Sequence, residues 1–88
     1  MVMRMPAVLQ YDEAADAAYL EFSEATFDHM ERLDDQRAVD YAADGTVIGV
    51  EILSPARGVD LAGLPHAAEI ERVLRARGFR RIRHRSSA

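Results

Sequence analysis

The chain contains no cysteine and no lysine, and no acidic residue follows Glu71. Without cysteine, thiolate metal sites, disulfides and thiol nucleophiles are excluded together, which agrees with a reducing compartment. No uninterrupted apolar run approaches the ~18 residues of a membrane-spanning helix, so no membrane partner is expected. Met1 to Val8 is too short and too poor in apolar residues for the core of a signal peptide, and a cytoplasmic location is expected. All eleven basic residues are arginine. That choice reflects genomic base composition as readily as function, so arginine identity carries no weight by itself. Also missing is any phosphate-cradling loop: Gly45 and Gly49 fall in a hairpin, Gly58 and Gly63 in a connection, and none fits G-x-G-x-x-G or the P-loop.

What is present is 88 residues, 49% hydrophobic and 30% charged, an ordinary globular composition. A chain of this size forms one domain and buries only about 60–65% of the surface exposed by its unfolded form, so the core is a thin layer. The net charge of −4 conceals a division of sign. Residues 1–71 carry all fifteen acids against Arg4, Arg32, Arg37 and Arg57, whereas residues 72–88 carry seven arginines and no acid. We expect a single domain over residues 1–79 and a basic C-terminal tail over 80–88.

Short apolar segments bounded by Asp, Gly or Pro come first. Met5 to Tyr11 reads as a strand, with Pro6 tolerated near its start or on an edge, and Asp12 to Asp16 is a connection. Ala17 to Phe22 reads as a second strand with Ala18, Leu20 and Phe22 on one face and Tyr19 and Glu21 on the other. Thr26 to Leu33 is expected as an edge strand, where Asp28, His29 and Glu31 discourage further pairing. The clearest signal is a hairpin from Arg37 to Leu53, turning at Asp44-Gly45. A three-residue loop would place Asp40 beside Ile48, on the face of Val50 and Ile52. A four-residue loop, Ala42 to Gly45, pairs Tyr41 with Thr46 and Val39 with Ile48, so that Val39, Tyr41, Ile48, Val50 and Ile52 share a face. Because a one-residue slip inverts every side chain, the longer loop is expected, with Asp40, Val47, Gly49 and Glu51 opposite.

Pro55 ends the sheet, and Gly58 to Gly63 forms a connection with Asp60 as a local cap. Pro65 suits the first turn of a helix whose apolar stripe is Ala67, Ile70, Val73, Leu74 and Ala76. Glu71 and Arg75 form a favourably ordered i,i+4 pair. Gly78 suits the left-handed residue after the helix, with Phe79 folding back on Leu74. Arg80 to Arg85 is either a short added strand or an unstructured tail. The expected fold is α+β: an antiparallel β-meander of four to five strands with one C-terminal helix packed on a sheet face.

Two segments carry a resemblance. Tyr11-Asp12-Glu13-Ala14-Ala15-Asp16-Ala17-Ala18-Tyr19-Leu20, followed by Val39-Asp40-Tyr41-Ala42-Ala43-Asp44-Gly45-Thr46-Val47-Ile48-Gly49-Val50-Glu51-Ile52-Leu53, resembles domain-of-unknown-function family 2283 of small bacterial and archaeal proteins, over roughly residues 10–56. The resemblance implies a compact β-meander with a helix and no established activity. Some members are similar to the antitoxin-like halves of two-gene modules beside a small presumed toxin, which implies a small protein partner.

Candidate chemistry is sparse. Asp12 and Asp16, four residues apart across a turn, could share a divalent cation, but a calcium site takes six to eight oxygen ligands, and each Asp suits a turn's backbone N–H. Asp40 and Glu51 share a face. In the expected register Glu51 lies opposite Gln36, four positions from Asp40, which at ~3.4 Å per residue separates the backbones by about 13 Å; a catalytic carboxyl pair needs roughly 5–10 Å. His29, His66 and His84 have no metal-ligand spacing, and Ser23, Ser54, Ser86 and Ser87 have no nucleophile elbow. No catalytic, metal or cofactor site is therefore assigned. Tyr19 points away from Leu20 and Phe22 and, with Arg80, Arg81, Arg83 and Arg85, is the candidate partner-binding set. Clustered arginines bind phosphate, but the acidic body repels a polyanion. The expected function is a non-catalytic protein-interaction module, a homodimer, with Tyr19, Val47 and an edge strand available. The alternatives are a nucleic-acid-binding regulator acting through the tail and a small metal-dependent enzyme using Asp12, Asp16 or Glu51.

Overall fold

The computed structural model describes residues 7–82. Alternating apolar residues form five strands: β1 (Val8–Asp12), β2 (Ala17–Glu21), β3 (His29–Arg32), β4 (Arg37–Tyr41) and β5 (Val47–Leu53). They make one antiparallel sheet in the order β1-β2-β5-β4-β3. Two meandering runs, β1–β2 and β3–β4–β5, join where β2 lies along β5. A short 3-10 turn (Pro55–Arg57) leads to β6 (Val59–Asp60), helix α1 (Ala67–Ala76) and β7 (Arg81–Ile82), which pairs parallel with β6. This is the expected α+β architecture.

One face of the sheet is the core. Ala18, Leu20, Phe22, Val39, Val50 and Ile52 are buried there against Ile70 and Leu74 of α1, with Ala67 and Val73 partly buried beside them. Each fully buried aliphatic side chain contributes roughly 1.5–3 kcal/mol, so α1 is held by its stripe rather than by propensity. Val59 and Leu61, expected only as connection, and Leu64 just beyond it are buried in the same cluster. Being separated by Asp60, Ala62 and Gly63, they form no run long enough to read as an element. Tyr11 and Phe79 meet edge-on at 4.9 Å on the rim.

The β4–β5 hairpin differs from expectation. The loop has three residues, Ala43 to Gly45, closed by the Ala42 amide donating to the Thr46 carbonyl at 2.9 Å, with Gly45 at φ +88°, where glycine carries no steric cost. Tyr41 lies opposite Val47, and Asp40 opposite Gly49. Ile48 is the extra residue of a β-bulge. Beyond it Val39 faces Val50 and Arg37 faces Ile52. The hydrophobic faces therefore align as the pattern demands, but through a bulge rather than a longer loop. The bulge also sends Val47, not Ile48, into the core cluster.

At α1 the N-cap is His66, at φ +55°, and Pro65 stands one residue before it rather than in the first turn. Gly78, at φ +89°, ends the helix as expected, and the Phe79 amide returns to the Leu74 carbonyl at 3.0 Å. Asp60 caps its connection, accepting from the Ala62 amide at 2.9 Å. Of the Arg80–Arg85 segment, Arg81 and Ile82 adopt the added strand, and Ile82 packs where a Cβ at Gly58 would sit. Arg83 and Arg85 lie outside the described residues.

Arg37 was not singled out from the sequence. Alternation with Val39 places it on the core face, where it is 6% exposed. Its guanidinium donates to Asp34 Oδ2 at 2.8 and 3.0 Å, to the Asp60 carbonyl at 3.0 Å and to the Ala62 carbonyl. A buried charge needs this degree of pairing. It fastens the β6–α1 connection to the sheet and holds the Asp34 carboxyl below its ordinary pKa.

Candidate functional site

The face of the sheet away from α1 carries polar side chains brought together by register. Tyr19 lies opposite Glu51, and Glu21 opposite Gly49. A Cβ at Gly49 would collide with the end of the Tyr19 side chain, so glycine lets the ring lie across β5. The Tyr19 hydroxyl thereby reaches β4 and donates to Asp40 Oδ2 at 3.0 Å. Burial, and then this bond to a carboxylate, push the phenol well above its ordinary pKa.

Glu51 lies opposite Ala38, not Gln36. It is therefore two positions from Asp40, a diagonal neighbour at about 7–8 Å, and the longer separation expected for these carboxylates is overturned by the bulge. They have separate partners. Asp40 takes the Tyr19 hydroxyl, and Glu51 takes the Arg32 guanidinium at 2.9 Å.

Asp12 and Asp16 are occupied by their own turn. Asp12 Oδ1 accepts from the Ala15 amide at 3.2 Å. Asp16 Oδ1 accepts from the Tyr11 hydroxyl at 2.7 Å, and its carbonyl accepts from the Ser54 amide at 2.7 Å, tying the β1–β2 turn to the end of β5. Among the described residues no group of three or more His, Cys, Asp or Glu side chains is arranged to hold a metal ion. A surface depression of about 440 Å³ places Ser54 near Asp35 and Arg57, with no histidine in its lining.

Arg81 lies 3.6 Å from Glu71, which also approaches Arg75 at 3.9 Å. The Arg80 carbonyl accepts from the Val59 amide at 2.9 Å. The described start of the basic segment is thus stitched to β6 and α1, on the opposite side of the sheet from Tyr19. Tyr19 and these arginines do not form one surface.

The exposed apolar surface lies elsewhere. Val8, Phe27, Met30 and Leu33 are the large hydrophobic residues exposed among those described, and the last three are on β3 or flank it, at 57%, 48% and 42% exposure. All four residues of β3 are exposed, and among the described residues no strand pairs with its outer edge. Beside them His29 bonds Asp28 at 2.8 Å and stacks on Tyr41 at 5.3 Å.

The family of proteins of unknown function called DUF2283 matches residues 9–54, slightly more than half of the chain and nearly the whole five-stranded sheet. The chain belongs to DUF2283. No curated protein and no solved structure matches it. The DUF2283 stretch contains the Tyr19–Asp40 bridge over Gly49, the Arg32–Glu51 pair and β3; α1, β6 and β7 lie outside it. Among the described residues no helix is long and apolar enough to cross a membrane.

Proposed function

We propose that this DUF2283 protein is a non-catalytic protein-interaction module whose working surface is the outer edge of β3. One observation carries the reading: an edge strand whose outer side no described strand pairs, with Met30 on it and Phe27 and Leu33 beside it in solvent. Exposed apolar side chains that line one edge offer surface for a partner to bury, and an open edge recruits a strand through main-chain hydrogen bonds. The candidate carboxylates support a non-catalytic role, since Asp12 and Asp16 in the β1–β2 turn and Asp40 and Glu51 on the open face each serve a donor within the fold. The partner is a second copy of the chain or a small protein such as the presumed toxin of a two-gene module, in the cytoplasm of a bacterium.

The test compares the full chain with a Phe27→Asp/Leu33→Asp double variant by light scattering over a range of concentrations, and by capture from native lysate. The reading expects self-association or a specific captured protein with the unaltered chain, lost in the variant. Equal behaviour of the two chains would contradict it. Tight, salt-sensitive binding to duplex DNA, its log affinity falling with log salt at a slope near −0.9 per phosphate contacted, would favour the nucleic-acid alternative.

A further inference from the structure

We infer that the occupant of the β3 edge is β3 of a second copy, paired antiparallel about a two-fold axis at Met30 to give a continuous ten-stranded sheet. The inference rests on the reading of β3 as an interaction edge and adds its partner and register.

Along His29–Arg32 the hydrogen-bond phase leaves the edge open at Met30 and Arg32, while the Asp28 amide is turned inward and donates to the Tyr41 carbonyl at 2.8 Å, so Asp28 can meet a partner strand through its side chain only. The Leu33 amide donates to the Arg37 carbonyl at 2.8 Å, and β3 pairs with β4 as Glu31 with Val39 and Met30 with Asp40. In an antiparallel ladder hydrogen-bonded and non-bonded pairs alternate. The backbone groups of Glu31 and Leu33 therefore turn inward to β4, and those of Met30 and Arg32 turn outward. A two-fold at Met30 makes it a hydrogen-bonded pair with its own copy.

Side-chain chemistry then selects the register. A two-fold normal to the sheet keeps each face on its own side, so residue numbers of opposed pairs add to an even total. With Met30 on Met30, His29 meets Glu31, Asp28 meets Arg32 and Phe27 meets Leu33, each pair occurring twice. The three exposed apolar residues are all covered, and both flanking polar pairs join an acid to a basic group. Shifting the axis to Glu31 opposes Glu31 with Glu31 and Asp28 with Asp34, like charges that destabilise a cross-strand pair. Shifting it to His29 sets Phe27 against Glu31 and Met30 against Asp28. The charges that guard this edge against indiscriminate pairing are complementary in a single register, so they exclude other strands while admitting this one.

The absence of cysteine makes the register directly testable in the full chain. Met30→Cys places one thiol at the axis, where an expected Cα–Cα separation of about 5.5 Å lies inside the range a disulfide spans. Val8→Cys, on the opposite edge strand and also exposed, is the control. Under mild oxidation at micromolar concentration, Met30→Cys is expected to form a covalent dimer at least about tenfold faster than Val8→Cys, because apposed thiols see a higher effective concentration. The unaltered chain is expected to sediment as a dimer. A monomer that nonetheless captures a different protein, with capture lost on Phe27→Asp/Leu33→Asp, would overturn self-pairing and leave β3 as the interaction edge. A dimer in which Val8→Cys cross-links and Met30→Cys does not would overturn both.

Discussion

Gly49 shows how one missing side chain organises the open face. Its lack of a Cβ lets the Tyr19 ring lie over β5 and bond Asp40 on the next strand, an aromatic covering a glycine much as designed sheets use aromatic rescue. Gly49→Ala should displace the ring rather than the backbone, because the atoms in conflict are the end of the Tyr19 side chain. We expect a loss of about 1–2 kcal/mol, from overpacking and the broken hydrogen bond, and a much smaller loss when Tyr19 is already alanine. The same substitution should let the Tyr19 phenol ionise nearer its ordinary value of 10.0. Its raised folded-state pKa contributes stability present below pH 10 and lost as pH rises further, so the unaltered protein should weaken above that point more steeply than Gly49→Ala. Denaturant melts of the four combinations and tyrosinate absorbance against pH check this; additive losses would contradict it. The motif residues Tyr19, Asp40, Gly49 and Glu51 were legible as sharing a face. Their contacts were not, because a bulge at Ile48 leaves no mark in an alternating pattern.

At the level of elements, strands, helix and helix stop were readable wherever a period of two or 3.6 ran for several residues, as in Ala18-Leu20-Phe22 and Ile70-Val73-Leu74. Loops defeated the reading where geometry outweighed pattern. The hairpin satisfied a three-residue turn and an aligned hydrophobic face together by inserting a residue. Arg37 carried a readable signal, its alternation with Val39 and Tyr41, which a charged side chain masks. Its partners are carbonyls of Asp60 and Ala62, which no local spacing reveals. Replacing it tests its role as the fastening between β4 and the β6–α1 connection. Arg37→Met should cost about 2–4 kcal/mol, since the part-buried carbonyls of Asp60 and Ala62 and the Asp34 carboxylate lose a donor. The lowered pKa of Asp34, caused first by the Arg37 side chain, contributes stability present above the ordinary value of 3.8 and lost as pH falls below it. Arg37→Met should flatten that acid-side slope. Unfolding melts from pH 6 to pH 2 measure both, and an unchanged slope would contradict the pairing.

For the molecule as a whole, the sequence was a better guide to the sheet than to which of its surfaces meet solvent. The division into acidic body and basic segment drew attention to the C-terminal arginines, yet Arg81 answers to Glu71 within the fold. The edge strand was expected from Thr26 to Leu33, and three of the four exposed large apolar residues among those described, Phe27, Met30 and Leu33, lie on it or beside it. A thin core under one helix leaves such an edge as the cheapest surface on which to add buried area. The most direct measurement is residue-resolved amide hydrogen exchange of the full chain at low and high concentration. Protection of the Met30 and Arg32 amides that rises with concentration, while the β1 edge is unchanged, is the result expected here; unprotected β3 amides at every concentration, with protection gained instead on β1 or around Arg80 and Arg81, would contradict it.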